Sequence, residues 1–373
     1  MGGTEPVADG QNRFSLCKAC AVRQGTDETR FEIVSSISCL ICGGLTSKVS
    51  AIGRRVLRGA GKYQFDTFSV GMILPRGVQE REDQLRSELR IRGRMTVKSD
   101  LAGAIVDFIA REMHKKVDRL RPQLTALVNL DSDTVEIMAR SIFVYGRYTK
   151  PRGIPQRRTL CDRCEGRGCD ECDAGYTKTP SVEKAIAGRF LELLRSPKAK
   201  FTWLGSEDSD SIVFSPGRPF IMEVKSPMRH DFPRRMVLRT GRGAITVTHL
   251  RTLSSKPTSI PSFTFMTRAF IECEVPVKPS RNQLRSMKES LVQYRNNKGK
   301  MVYKKVHRLR ILSTRGKRLT VEIKLEGGLP VKRLINGDSV SPSLSELLGT
   351  SLTCQRFDIL KVWESRGFEF GQV

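Results

Sequence analysis

Eight of the ten cysteines stand in four Cys-x-x-Cys pairs, and this pattern constrains the fold more than any other feature of the 373-residue chain. The first two pairs are separated by eighteen residues and comprise Cys17, Cys20, Cys39 and Cys42. Two such turns present four thiolates, which is the ligand set of a tetrahedral structural zinc ion. The sequence therefore predicts a zinc ribbon with a short hairpin around residues 31–34. Unliganded or redox-active cysteines are the alternative.

The second set of four thiols is more compact, with only four residues between its two pairs. It comprises Cys161, Cys164, Cys169 and Cys172. A second zinc ion fits this spacing, and the alternative is a glycine-rich connector whose thiols stay free. Four thiolates leave a metal no open coordination position, so we expect structural zinc in each set. Cysteines used as ligands are typical of a reducing compartment, which predicts a cytoplasmic protein.

The charge balance indicates a polyanionic partner. Lys and Arg number 65 against 39 Asp and Glu, which gives a formal charge of +26. Nucleic acid is favoured over a membrane surface, because no run approaches the roughly 18 apolar residues that span a bilayer. Residues 1–12 are polar and contain no apolar leader segment, so the sequence predicts neither secretion nor membrane insertion.

Strand and helix patterns alternate between residues 54 and 160. Strands are predicted at three extended runs, which are 65–74, 124–130 and 134–144. Ser99 and Asp100 offer side chains that can cap a helix behind them. The segment 145–152 combines cations, glycine and tyrosines as RNA-gripping loops do, although solvated charge explains it equally well.

Residues 201–373 are rich in strand patterns. In the clearest one, 319–325, apolar and polar residues alternate with the period of a half-buried strand. Pro180 and Ser181 are expected to open a helix ahead of this region, and a second helix is predicted over 282–293. The overall prediction is an α+β protein whose last domain is built on a mostly antiparallel mixed sheet.

Several common catalytic devices are missing from the sequence. It has no phosphate-binding loop, no dinucleotide fingerprint, no His-Glu-x-x-His motif and only four histidines. Carboxylate chemistry without an organic cofactor is therefore expected. A compact acidic cluster, Glu207-Asp208-Ser209-Asp210, follows Gly205 on a predicted loop. A solvated turn or a helix cap is the alternative explanation of this cluster.

A series of motifs in a fixed order extends through nearly the whole chain. They are the N-terminal cysteine pairs, Tyr145-Gly146-Arg147-Tyr148 with 152–156, the second cysteine set with Ser181-Val182-Glu183, 205–208, Gly217-Arg218-Pro219-Phe220, 327–332 with Gly337-Asp338, and 342–349. In these motifs the chain resembles the archaeal THUMP-domain-containing tRNA pseudouridine synthases, a family similar to a eukaryotic enzyme.

The resemblance implies a domain order and a partner. The expected domains are a zinc ribbon at 1–53, a THUMP-type α/β RNA-binding domain at 54–160, a cysteine-rich connector at 161–180 and a pseudouridine synthase domain at 181–373. The implied partner is tRNA, modified in its TΨC arm at position 54, position 55 or both. No protein partner is implied.

The resemblance also implies a catalytic group. The aspartate of the family's Gly-Arg-Glu-Asp loop corresponds to Asp208, with Asp210 as the second candidate. The reaction breaks the glycosidic bond of a uridine, turns the uracil and rejoins it through C5, so no redox change or organic cofactor is required. The carboxylate acts either as a nucleophile at the ribose or as a base at C2′. Lys332 is expected to keep it ionised and oriented.

Contacts with the substrate are implied for six further residues. They are Arg147, Tyr148, Arg152, Arg218, Leu329 and Pro330. The chain departs from the family pattern at two positions, because Pro330 replaces a pocket tyrosine and Ser206 replaces the arginine of the catalytic loop. These departures leave open an alternative, namely a tRNA-binding protein or folding factor that keeps the fold but has impaired catalysis.

Overall fold

The computed structural model describes residues 13–25, 30–92, 94–257, 262–296 and 298–364. Residues 1–12, on which the absence of a leader segment was predicted, lie outside this description. The chain divides into an N-terminal unit, up to Arg140 and including Ser226–His230, and a C-terminal unit formed by Ser141–Lys225 and the chain from Asp231 onward.

The N-terminal unit is an α/β structure. Its elements are β1 Phe14–Cys17, α1 Lys18–Gln24, β2 Phe31–Val34, a 3-10 turn Leu45–Lys48, α2 Val49–Ala60, β3 Thr67–Ile73, α3 Val78–Glu88, α4 Val97–Met113, β4 Lys116–Val117, β5 Leu124–Asn129 and β6 Thr134–Ala139. Four strands form a mixed sheet in the order β4-β3-β5-β6, in which β3 pairs in parallel with β4 and β5, and β5 pairs antiparallel with β6.

Helix α4 shows why the sequence folds in this way. Val97, Leu101, Ile105 and Ile109 recur at helical spacing and are all buried, so the helix turns one apolar face to the core. Its cap is not Ser99 or Asp100 as predicted, because the hydroxyl of Thr96 accepts the Ser99 backbone N–H at 3.2 Å. The helix therefore begins two residues earlier than the predicted cap.

The segment between the first two cysteine pairs is not a hairpin. Strands β1 and β2 pair in parallel, with Phe14 opposite Phe31 and Cys17 opposite Val34, and α1 lies between them in the chain. The predicted hairpin around 31–34 is therefore wrong, because a tight turn can join only antiparallel strands. The four cysteines also share one hydrophobic core with α2 and α4, so this segment does not pack as a separate ribbon.

The C-terminal unit is built on one large sheet. Its elements are β7 Ile142–Lys150, α5 Val182–Leu194, β8 Lys198–Trp203, β9 Val213–Lys225, β10 Met236–Thr240, β11 Gly243–Leu253, β12 Phe263–Cys273, α6 Arg281–Met287, β13 Ser290–Arg295, β14 Met301–Arg315, β15 Arg318–Glu326, α7 Val331–Asn336, β16 Val340–Ser341, α8 Leu344–Leu348 and β17 Leu352–Glu364. The strand order is β10-β11-β7-β9-β17-β12-β15-β14-β13-β16, with β8 paired to β9. The sheet is mixed, since β9 and β17 pair in parallel while the other neighbours are antiparallel.

Two of the predicted elements of this unit are confirmed. Ser181 caps α5 by accepting the Lys184 backbone N–H at 3.1 Å. The strand predicted at 319–325 is β15, in which alternate residues from Leu319 to Leu325 are buried. The helix predicted over 282–293 is wrong in its second half, because α6 ends at Met287 and β13 begins at Ser290. Glu289, between them, has a φ of 59°, which interrupts the helix.

The run predicted as one strand at 134–144 belongs to two sheets. Strand β6 ends at Ala139 in the sheet of the N-terminal unit, whereas β7 begins at Ile142 and pairs with β9 and β11 in the large sheet. The structural division at Arg140 therefore lies twenty residues before the predicted boundary at 160. Consequently, the cation-rich segment 145–152 is mostly a central strand and not a loop.

Candidate active site

The acidic cluster lies on the loop between β8 and β9, and Glu207 anchors this loop. The Glu207 side chain is fully buried, and its Oε1 accepts the Tyr148 hydroxyl at 2.5 Å. Its Oε2 lies 3.0 Å from Nη1 of Arg218, which is itself 1% exposed. Gln156 Nε2 donates to the Tyr148 hydroxyl at 2.9 Å. Burial raises the pKa of Tyr148 well above its ordinary value, so the phenol stays a proton donor to Glu207.

Gly205 lets the loop approach Arg218 closely. Its φ is +82°, a conformation that side chains other than glycine adopt rarely. A Cβ at this position would lie 2.1 Å from Nη2 of Arg218 and 3.2 Å from the ring of Phe263. The guanidinium also donates from Nε to the Leu204 carbonyl at 3.0 Å. Glycine is therefore required both by conformation and by space.

Asp208 has a different environment from its neighbour Glu207. Its Oδ2 lies 2.8 Å from Nζ of Lys332, and the two side chains are 44% and 45% exposed. The contact with the Asp208 carboxylate raises the pKa of Lys332, so the ammonium group remains charged at neutral pH. The structure thus brings together the two residues predicted to be catalytic, with a carboxylate that solvent and substrate can reach.

Helix α7 carries Lys332 to this position. Val331, Leu334 and Ile335 are buried in the main hydrophobic core, which leaves Lys332 on the outer side of the helix. The turn before the helix is held by the Tyr294 hydroxyl, which donates to the Gly328 carbonyl at 2.7 Å. The approach of Lys332 to Asp208 is therefore fixed by packed elements.

The six residues with implied substrate contacts divide by exposure. Arg147, Tyr148, Arg218 and Leu329 are buried, whereas Arg152 and Pro330 are partly exposed. Arg147 donates to the carbonyls of Gly217 and Val362 within the sheet, at 2.9 Å and 3.2 Å. Arg147, Tyr148 and Arg218 fix the strands and the loop in this structure, and Leu329 fills the core. Direct contact of these four residues with the substrate stays a prediction.

Pro330 and Arg152 have defined structural contacts as well. Pro330 occupies the N-cap position of α7, where no donor is needed. Arg152 Nε donates to the Asp210 carbonyl at 2.8 Å, and its Nη2 lies 3.3 Å from Asp358. The buried Asp358 also accepts the Ile212 backbone N–H at 2.9 Å. Both sides of the loop are therefore tied to neighbouring elements.

Several residues that shape this site were not predicted as site residues. They are Lys150, Gln156, Phe263 and Asp358. Glu207 stood within the acidic cluster, but its burial depends on Tyr148 and Arg218, which are distant in sequence. A polar residue that is neutralised by nonlocal partners carries no local signal, so only the structure identifies these contacts.

The first cysteine set converges on one point. The four Sγ atoms of Cys17, Cys20, Cys39 and Cys42 lie within 4.8 Å of one another, and all four residues are buried. Arg23 Nη2 donates to the Cys20 sulfur at 3.1 Å, which places a cation against the thiol group. Four converging sulfurs with a cationic neighbour fit a thiolate-bound metal ion, so this set could hold one.

The second cysteine set also converges, within the same 4.8 Å limit, and is more exposed. Backbone N–H groups point at its sulfurs, from Gly168 to Cys164 and from Cys169 and Gly175 to Cys172, each at 3.2 Å. Such donors stabilise thiolates, and the glycines make the tight turns possible. This set could therefore hold a metal ion as well.

No helix within the described ranges is both long and apolar enough to cross a bilayer.

Two segments of the chain match known protein-family models. Residues 52–129 match the family model described as "Pus10 THUMP domain, archaeal", and residues 143–260 match the one described as "Pus10, C-terminal". Both matched segments are consistent with a chain division near residue 140.

Relatives with the printed name "tRNA pseudouridine synthase Pus10" cover most of the chain. The protein of Nitrosopumilus maritimus is 30% identical over 328 residues, which is 87% of this chain and 85% of the relative. The protein of Archaeoglobus fulgidus is 26% identical over 372 residues, which is 94% of this chain and 100% of the relative.

Among solved structures, a chain of "Structure of H/ACA RNP bound to a substrate RNA containing 2'-deoxyuridine" is 12% identical, with a TM-score of 0.32, over 58% of this chain and 47% of that one. This TM-score is too low to indicate a shared fold. The family assignment depends on the sequence relatives and on the two family models, which match in chain order. From their identity and coverage, the chain belongs to the Pus10 family of tRNA pseudouridine synthases.

Proposed function

We propose that this protein isomerises uridine to pseudouridine in the TΨC arm of tRNA, at position 54, position 55 or both, with Asp208 as the catalytic carboxylate. The observation that carries the proposal is the half-exposed Asp208 carboxylate, 2.8 Å from the Lys332 ammonium group. Family membership supports the tRNA substrate. The formal charge of +26 supports contacts with its phosphates.

The chemistry requires one reactive carboxylate and no redox step. The N1–C1′ bond of the uridine breaks, the uracil turns, a C5–C1′ bond forms, the proton on C5 leaves and N1 gains a proton. Asp208 either attacks C1′ or removes the C2′ proton, and both routes need it ionised and accessible. Lys332 pairs with the carboxylate at 2.8 Å and holds it in one orientation. The target uridine must first leave its stack to reach this carboxylate.

The two halves of the protein have separate proposed roles. The THUMP-type segment of the N-terminal unit binds RNA, and the C-terminal unit carries the catalysis, in keeping with their family matches. Both cysteine sets hold structural zinc through four thiolates each. Metal analysis of the purified protein tests this, with about two zinc ions per chain expected and about one indicating that a single set is occupied. A reducing compartment such as the cytoplasm keeps these thiols available.

The catalytic assignment is tested with an isosteric substitution. Asp208→Asn protein is incubated with unmodified tRNA transcript, and pseudouridine is mapped by carbodiimide treatment and primer extension. We expect the rate to fall about 10³-fold or more, while tRNA binding is retained. Asp210→Asn makes the same charge change two residues away on an exposed side chain. It tests the second catalytic candidate and should remain active if Asp208 is the catalytic carboxylate. Full activity of Asp208→Asn would sink the assignment.

The modified position is tested with altered transcripts. Substrates with cytidine in place of the uridine at position 54 or at position 55 show which product remains. Loss of product with only one of them identifies a single target, and partial product with each indicates that both are modified. Modification elsewhere in the tRNA would contradict the proposed arm.

The alternative function is tRNA binding without catalysis. Its supporting observation is that Pro330 caps α7 and that Ser206 is exposed, so neither supplies the tyrosine or arginine of the family pattern. An aromatic ring stacked on a flipped base is worth about 1–3 kcal/mol in comparable contacts. Tight, salt-sensitive tRNA binding with no pseudouridine formed under any condition would favour this alternative.

A further inference from the structure

Lys150 is a buried lysine directly beneath the candidate catalytic loop. It is the last residue of β7 and is 2% exposed. Its Nζ donates to the carbonyl oxygens of Asp208, Ser209 and Ser211, at 3.0 Å, 3.1 Å and 2.6 Å. An ammonium group has three N–H donors, so all three can be used on this one stretch of backbone.

The residues just after Lys150 bind the same stretch. Gly153 donates its backbone N–H to the Ser209 carbonyl at 2.9 Å, and Arg152 Nε donates to the Asp210 carbonyl at 2.8 Å. Every carbonyl from residue 208 to 211 therefore accepts a bond from residues 150–153. Two of these three donor residues are cations, which makes most of the bonds charge-assisted and stronger than neutral ones.

These bonds hold the backbone of Asp208 and do not involve its side chain. Carbonyl groups that converge on one side of a turn create a negative region, and a buried cation there offsets both their repulsion and its own loss of hydration. The Asp208 carboxylate has a different partner from its carbonyl, because its Oδ2 lies 2.8 Å from Nζ of Lys332. Lys150 thus touches the main chain of the proposed catalytic residue without touching its carboxylate.

We propose that Lys150 is a positioning residue for the isomerisation, whose ammonium group holds residues 208–211 so that the Asp208 carboxylate keeps its place beside Lys332. This inference rests on the proposed function, because it takes Asp208 as the catalytic group. It adds a requirement that neither the family match nor the sequence pattern contains, namely that the loop needs a protonated lysine below it.

The protonation of Lys150 supplies a test. Burial lowers its pKa to about 8, although the carboxylates of Glu207, Asp208, Asp210 and Asp358 act in the opposite direction. Above that pH the neutral amine has two donors for three carbonyls and no charge. In the unfolded chain the pKa is about 10.5. Between pH 8 and 10.5 the unfolded state therefore binds more protons than the folded state, so this group makes the protein more stable as pH rises. A loss of activity in this range would therefore not reflect destabilisation through Lys150.

The experiment compares wild type, Lys150→Met and Asp208→Asn in single-turnover assays on tRNA transcript between pH 6.5 and 9.5. For wild type we expect the rate to fall above about pH 8, with the melting temperature unchanged or higher. For Lys150→Met we expect a rate about 10- to 100-fold lower at pH 7, with little change in KM. Its rate should not fall further above about pH 8. Ser196→Ala is the control, since it removes a buried hydroxyl that donates to the Lys225 carbonyl at 2.5 Å, away from the loop.

Hydrogen exchange of peptides covering residues 205–212 gives a second readout that does not depend on catalysis. After correction for the intrinsic exchange rate at each pH, protection of these peptides should be lower in Lys150→Met at pH 7 and in wild type at pH 9 than in wild type at pH 7. It should be unchanged in Ser196→Ala. Should Lys150→Met fail to fold, the wild-type rate profile and wild-type exchange at the two pH values still decide the matter.

The outcomes separate this inference from the proposed function. An inactive Asp208→Asn together with a fully active Lys150→Met, or a wild-type rate that stays flat to pH 9.5, overturns the role of Lys150 alone. An active Asp208→Asn overturns both. An inactive Asp208→Asn, an impaired Lys150→Met and a loop that exchanges faster when Lys150 is neutral or absent establish the positioning role.

Discussion

In the N-terminal unit the buried pair Arg23–Glu82 touches the first cysteine set directly, whereas in the C-terminal unit the buried pair Arg218–Glu207 is one residue away from Asp208. The side chains of both pairs are at most 3% exposed. The Arg23 guanidinium donates to the sulfur of Cys20, a candidate ligand atom. Asp208 instead has its own, half-exposed cation.

The difference indicates how stability and function are linked in each unit. Where the buried cation contacts the ligand atom, its removal changes the fold and the electrostatics of the site together. Where the buried pair holds only the backbone, the fold and the reactive group can be altered separately. Buried pairs are costly to break, because the remaining partner keeps an uncompensated charge. The following predictions test this comparison, from the largest expected effect to the smallest.

Removal of the buried arginine in the C-terminal unit should have the largest effect. Arg218→Met leaves Glu207 buried beside Tyr148 without its cation, and we expect a loss of about 3–5 kcal/mol in the free energy of unfolding. Both tryptophans of the chain, Trp203 and Trp363, lie in this unit, so fluorescence during urea unfolding reports on it alone.

The control for this substitution is Arg189→Met. Arg189 pairs with Glu192 on the exposed side of α5 at 2.8 Å, and its loss should cost at most about 0.5 kcal/mol. Equal effects of the two arginines would contradict the importance of the buried pair.

Removal of the buried arginine in the N-terminal unit should weaken metal binding. Arg23→Met deletes the donor to the Cys20 sulfur, while Glu82 retains Arg86 at 3.2 Å. We expect the affinity of this cysteine set for its metal to fall about 10- to 100-fold, as measured by competition with a chelator. The second cysteine set, which belongs to the C-terminal unit, is an internal control. Unchanged retention at the first set would show that Arg23 serves the fold alone.

Substitution of the exposed cation in the C-terminal unit should affect function more than stability. Lys332→Met is expected to reduce the rate about tenfold, equivalent to about 1.4 kcal/mol of transition-state stabilisation. Because both members of the ion pair are nearly half exposed, the loss of stability should stay below about 1 kcal/mol. Single-turnover assays and urea unfolding of the same preparation measure the two effects. A stability loss comparable to that of Arg218→Met would remove the contrast between the two pairs.

The pH dependence of the stability that the Lys332–Asp208 ion pair contributes should be the weakest effect. The pKa of Lys332 is raised above its ordinary value of 10.5, so the stability it contributes is fully present below that pH and is lost only as pH rises through the higher folded pKa. The difference between wild type and Lys332→Met in urea midpoint should therefore stay constant from pH 7 to 9.5. If this difference in urea midpoint shrinks near pH 8, the fall in rate above pH 8 would be assigned to Lys332 and not to Lys150.

The sequence predicted features that depend on neighbours close in the chain. The cysteine sets converge as their spacing indicated, and Ser181 caps α5 as its position before an apolar helix indicated. Strand β15 has the predicted alternation of buried residues. In each case the determining contacts lie within a few residues, or the ligand chemistry itself restricts the geometry.

Features that depend on distant partners were not predictable. The cations and tyrosines of β7 looked like an RNA-binding loop, because the carbonyls and the carboxylate that satisfy Lys150 and Tyr148 come from residues about sixty positions later. The direction of β2 depended on α1, a seven-residue helix with no strong periodic pattern. The roles of Asp208 and Lys332 remain a prediction, although the structure brings their side chains together.

The four residues Gly205, Ser206, Glu207 and Asp208 tolerate substitution to different extents. The first position must stay empty of side-chain atoms, since the Arg218 guanidinium occupies the space where they would lie. The third position secures the loop from inside, and the fourth faces solvent. The second position, Ser206, is exposed and can therefore vary without disturbing the others. Ser206→Arg can therefore be made without altering a buried position of the loop, and a gain in activity would measure what an arginine contributes there.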